Sequence, residues 1–148
     1  MDRLALIDAC CEAYDRFSLS RDVTGDGIKE TFCNLAVAYV CKQLGYHRLQ
    51  GMVANQMVEF LKTSTDWESV PIQIAQDYAN QGRLLIAGQS NAPHGHVAVI
   101  RPGRAGKSKK WGVPSPKVCH VGASSCIGEH LGFAFSEMPG IWMLREQS

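Results

Sequence analysis

Cys33 and His96 are the residues whose types and surroundings could do covalent chemistry together. A nucleophilic cysteine needs a thiol held below its ordinary range near pH ~8.5, a base within reach, and a group that orients the base. Cys33 falls in the first turn of the best-patterned helix, where the positive end of the helix dipole favours a thiolate. His96 follows Gly95 and opens a run of β-formers, His96-Val97-Ala98-Val99-Ile100. Such nucleophile–base pairs are recognised by geometry and roles, not by spacing. The third group is sought on the next strand, where His120 in Val118-Cys119-His120-Val121-Gly122 could bond the far nitrogen of His96 and fix its tautomer. Each residue also has a plainer reading. Cys33 can be a small apolar member of the Val37/Val40/Leu44 face, and His96 and His120 can be ordinary strand-end histidines. His94 competes with His96 for the role of base.

In front of Cys33, Asp22-Val23-Thr24-Gly25-Asp26-Gly27 matches the first half of a calcium-binding EF-hand loop, with oxygen donors at its first, third and fifth positions and glycine at the sixth. The second half departs from it: the twelfth position, which requires a bidentate Glu, is Cys33, and Glu30 stands at the ninth. Asp22, Thr24, Asp26 and Glu30 are therefore candidate calcium ligands, against the alternative of an acidic turn shaped by Asp and Gly. No cofactor is required by the chemistry of Cys33 and His96; calcium would be structural. The six cysteines, at 10, 11, 33, 41, 119 and 126, include no C-x-x-C pair and no zinc spacing. Free cysteines are commonly small buried hydrophobes. Arg104, Lys107, Lys109 and Lys110 cluster after the His96 run, where they form a solvated basic loop or help a polyanionic substrate to dock.

The elements that must position these residues follow from periodicity. Leu4, Ile7, Ala9, Cys11, Ala13 and Tyr14 predict a helix to about residue 17. The next helix is predicted over 31–44, capped by Thr31 and stopped by Gly45, with Cys33, Val37, Val40, Cys41 and Leu44 on one face. Residues 52–61 and 71–80 give two more helices, the last with Pro at its first turn and Gly82 after its end. From there short apolar runs predict strands at 84–88, 96–100, 117–121, 132–135 and 141–144, with 101–110 as a basic hairpin or loop. Helices first and an antiparallel sheet of about five strands afterwards define an α+β class with segregated layers. The 148 residues, 45% apolar, suit one domain over 1–148 with its own core. A net charge of +1 gives no global field toward nucleic acid or a membrane surface. No apolar run reaches the roughly 18 residues of a membrane span.

The segment Glu30-Thr31-Phe32-Cys33-Asn34-Leu35-Ala36-Val37-Ala38-Tyr39-Val40 resembles the nucleophile helix of NlpC-like and CHAP-like cell-wall peptidases. Ala87-Gly88 through His94-Gly95-His96-Val97-Ala98-Val99-Ile100 resembles their second motif, Gly-His-Val-Ala-Val-Val/Ile, which carries the catalytic histidine. The likeness is greatest to small peptidoglycan amidase effectors of type VI secretion and related phage lysis enzymes. Asn55-Gln56-Met57-Val58 resembles the helix that follows the nucleophile in these effectors, with no role assigned. The resemblance implies a papain-like fold with Cys33 as nucleophile, His96 as base and His120 as third polar residue. It further implies amide hydrolysis in the peptide stem of peptidoglycan. The partner would be the wall, with a cognate immunity protein if the chain is an effector. The N-terminus lacks a signal-peptide shape, so the expectation is synthesis in the cytoplasm and action in the periplasm or on the wall after delivery or lysis. Two other readings stay open: a papain-like deamidase or protease toxin with a protein substrate, and a non-catalytic calcium-binding interaction module.

Overall fold

The runs Leu84-Leu85-Ile86-Ala87, Val97-Ala98-Val99-Ile100 and Ile141-Trp142-Met143-Leu144 show no apolar–polar alternation, and every one of these residues is buried. Such runs arise when a strand is covered on both faces. The computed structural model describes residues 3–17, 33–91, 95–120 and 126–146, and it accounts for them this way. Among the described residues the chain forms, in order, α1 (Arg3–Phe17), α2 (Cys33–Gln43), α3 (Ala54–Thr63), β1 (Trp67–Ser69), α4 (Ile72–Asn80), β2 (Leu85–Gln89), β3 (His96–Ile100), β4 (Gly106–Lys107), β5 (Pro114–Ser115), β6 (Lys117–His120), β7 (Cys126–His130), α5 (Leu131–Ala134) and β8 (Gly140–Leu144). A six-stranded antiparallel sheet has the order β1-β8-β2-β3-β6-β7, and β4 and β5 form a separate hairpin.

The class is mixed α+β, as expected, but the layers are not simply helices on one side of a sheet. One core joins α1, α2 and α3 to Leu84, Ile86, Val97, Val99, Cys119 and Trp142. A second core, on the other face, joins α4 and α5 to Leu85, Ala87, Ala98, Ile100, Val118 and Ile141. The sheet is thus the middle of three layers.

Helix spacing explains which faces are buried. Ala54, Met57, Val58 and Leu61 of α3 recur at i, i+3, i+4 and i+7, as do Ile72, Ala75, Gln76 and Ala79 of α4. Buried Gln76 is satisfied on both sides of its amide: Nε2 donates to the Arg101 carbonyl at 3.0 Å and Oε1 accepts the Lys117 N–H at 2.9 Å. It thereby staples the end of β3 to the start of β6. In α1 the inward face is Leu6, Ala9, Cys10 and Ala13, while Leu4 and Cys11, expected inward, are exposed. Residues 132–135, expected as a strand, lie in the turn of helix α5 and just after it, and β1 and β7 were not expected.

Beyond α2 the chain turns at Gly45, with φ of 89°, and enters a polar knot around Tyr46. The Trp67 indole N–H donates to the Tyr46 hydroxyl at 3.0 Å, which donates to Asp66 Oδ2 at 2.8 Å, where Arg48 also donates. Burial, then the bond to Asp66, pushes the Tyr46 phenol from 10.0 up to about 12. In that interval the folded chain holds a proton that the unfolded chain has released, so stability falls as pH rises. Burial likewise raises Cys41 from 9.0 to about 12, adding to the same alkaline loss. Tyr46→Phe is expected to cost about 1–3 kcal/mol at neutral pH by orphaning the Trp67 N–H. It should also make the loss of stability between pH 10 and 12 shallower, as read from urea midpoints across pH.

Candidate functional site

Cys33 is the first described residue of α2, 7% exposed and packed in the core shared with β3. Burial pushes its thiol above the ordinary range, and the backbone N–H groups of Val97, Asn34 and Cys33 itself hold the rise in check. The Cys33 side chain therefore packs against β3 beside Val97, the residue after His96. Asn34 fastens α2 to the loop before α3 through Nδ2 and the Met52 carbonyl, at 3.1 Å.

His96 opens β3 opposite Gln89. Side chains alternate along a strand, and here Val97 and Val99 belong to the α2 side while Ala98 and Ile100 belong to the α4 and α5 side. His96 shares the parity of Ala98, and its ring lies 4.9 Å from that of Phe135, a member of the same core. The Cys33 thiol packs on the α2 side of β3, whereas the His96 ring lies against Phe135 on the other side. His96 lines a cleft of about 120 Å³ with Gln89, Asn91, Gly95, Phe135 and Ser136. Gln89 crosses beside it to Glu137, Nε2 to Oε2 at 2.8 Å.

No protein-family model matches the chain, and no curated protein sequence matches it significantly. The site is therefore read from its own geometry.

Asn55 is the positioning residue that sequence reasoning left without a role. Its side-chain amide donates to the Asn91 carbonyl at 2.9 Å and its Oδ1 accepts the Asn91 N–H at 3.1 Å. This two-point clamp ties α3 to the segment leading into His96. Gly95 is part of the same fit: a Cβ there would overlap Asn55 Oδ1 and come within 2.7 Å of the Gln89 carbonyl oxygen. The partners are 36 residues apart in sequence, which no local pattern signals.

The backbone of His120 ends β6, paired with Cys126 after a register irregularity at Val118/Cys119. His94 and the candidate calcium ligands Asp22, Thr24, Asp26 and Glu30 lie outside the described residues, as does the predicted cap Thr31. Among the described residues no group of three or more His, Cys, Asp or Glu could hold a metal ion. The five described cysteines, Cys10, Cys11, Cys33, Cys41 and Cys119, are free thiols. Cys119 donates to the Cys10 carbonyl at 3.4 Å, and hydrogen bonding to Cys119 and burial hold the Cys10 thiol well above its usual range. No described helix is long and apolar enough to cross a membrane. A cavity of about 820 Å³ is lined by Tyr46, Arg48, Asp66 and Arg145 among others, and by neither Cys33 nor His96.

Proposed function

We propose that the chain is a papain-like cysteine hydrolase that cleaves an amide in the peptide stem of bacterial peptidoglycan. The observation that carries this reading is the seat of Cys33: on helix α2, buried against β3 beside Val97, the residue that follows His96. Thiolate attack on the amide carbon forms a tetrahedral oxyanion, which backbone N–H groups at the helix start are suited to stabilise. An imidazolium then protonates the leaving amine, and water releases the thioester. For His96 to act as base, its imidazole must come round the start of β3 from the Phe135 side to the α2 side, with Gly95 as the backbone joint. Catalytic hydrogen bonds commonly tighten only when substrate is bound. His120 remains the proposed third residue, and calcium at Asp22, Thr24, Asp26 and Glu30 a structural addition. Delivery to a rival's periplasm, with an immunity protein as partner, and release during lysis are the two settings that fit this substrate.

A second reading is favoured by three observations: the burial of Cys33, its raised thiol pKa, and the placement of His96 on the opposite face. In it Cys33 is a core residue and the chain is not a cysteine enzyme. Release of soluble muropeptides from purified peptidoglycan separates the two, with wild type, Cys33→Ala and His96→Ala compared with and without a chelator. The proposal expects release by wild type and none by either variant. An inactive wild type whose Cys33 also resists iodoacetamide at neutral pH leaves the core reading standing. Inactivity on wall with rapid alkylation keeps the nucleophile and moves the substrate to a protein amide, as a deamidase or protease.

A further inference from the structure

The basic stretch after β3 folds into a hairpin that leaves Lys107, Lys109 and Lys110 exposed. β4 and β5 pair through Gly106↔Ser115 and Lys107↔Pro114, and the Ser108 N–H closes the hairpin on the Val113 carbonyl at 2.9 Å. With the end of β7 this hairpin borders an open pocket of about 400 Å³ lined by Lys107, Ser108, Lys109, Lys110, Ser115 and His130. Gly106 permits the close approach, since a Cβ there would sit 2.6 Å from His130 Nε2.

Two features distinguish this cavity from a patch of surface lysines. Ser108 and Ser115 are 7% and 2% exposed, and each hydroxyl oxygen accepts a backbone N–H, from Trp111 at 3.2 Å and from Gly132 at 2.9 Å. Neither hydroxyl donates to an acceptor among the described residues, so two buried donors at the pocket wall remain to be used. The charge is equally unbalanced. Lys110 is held by the Phe135 carbonyl at 2.7 Å and by the Trp111 ring, neither of which neutralises it. Lys107 and Lys109 have no acidic partner among the described residues.

We propose that this pocket binds an oxyanion, the carboxylate or phosphate group of a small ligand. The three ammonium groups supply the charge, and the Ser108 and Ser115 hydroxyls donate hydrogen bonds that fix its orientation. Buried hydroxyl donors select a group that accepts hydrogen bonds over a simple halide. The site is independent of Cys33, and its test does not involve hydrolysis.

The test is an amide NMR titration of the whole chain with inorganic phosphate and, separately, with succinate, each against chloride at matched ionic strength. Saturable shifts at Ser108, Ser115 and Gly132 are expected with at least one oxyanion and not with chloride, and the stronger arm identifies the source as phosphate or carboxylate. Lys107→Gln/Lys109→Gln, two exposed positions, should keep the wild-type melting temperature and weaken binding about tenfold or more. Ser115→Ala should weaken it with the lysines intact. Shifts that match chloride, or affinity unchanged in the folded double variant, would overturn the proposal.

Discussion

Under the proposed hydrolase reading, Cys33→Ala is expected to lose hydrolysis by about 1,000-fold or more while keeping the fold, because removing the nucleophile would leave only binding and oxyanion stabilisation. The deleted sulfur fills a buried contact between α2 and β3, so a stability cost of about 1 kcal/mol accompanies the change. That cost cannot mimic the kinetic loss, and a urea midpoint measured beside product release keeps the two apart. The pH profile carries a second sign. Burial raises the thiol above 9.0, so the thiolate is scarce at neutral pH, and kcat/KM should climb with pH through the neutral range. A rate unchanged in the alanine variant, with the midpoint intact, rules Cys33 out as nucleophile.

Gly95→Ala is the substitution expected to do most damage without touching either reacting side chain. Its new methyl must displace Asn55 Oδ1 or the Gln89 carbonyl, and both hold the entry to β3. Overpacking of this kind costs about 1–3 kcal/mol. A displacement of about 1 Å in a catalytic group costs about 100-fold in rate, so activity should fall by that order while melting shifts modestly. Asn55→Ala is the companion variant: it removes the clamp and the nearer of the two overlaps, leaving the Gln89 carbonyl, and in the double variant should recover part of the lost stability. Equal stability of single and double variants would show that the Gly95 contact is not the one that matters.

Much of the scaffold was legible because its signals are local. α3 and α4 follow from apolar spacing, the end of α2 from Gly45, and β2 and β3 from apolar runs of strand length. Residues 132–135 failed for the reason short apolar runs do: four residues of strand-like composition cannot be told from one helical turn. Strand β1 is three residues long, below what periodicity detects. The site was half legible. That Cys33 lies on a helix and His96 begins a strand could be read from composition. The face on which His96 lies could not, because strand parity is decided by which side is apolar, and β3 is apolar on both. Asn55 acts across a distance in sequence where pattern carries no signal.

The sheet order has a consequence for how the chain reaches its native state. β8 inserts between β1 and β2, so a folding chain carries two unsatisfied strand edges until this distant strand docks between them. Pairing of β1 with β8 spans most of the second half of the sequence, a high contact order that slows folding and prolongs exposure of those edges. Aggregation through those edges during folding is the hazard this topology imposes.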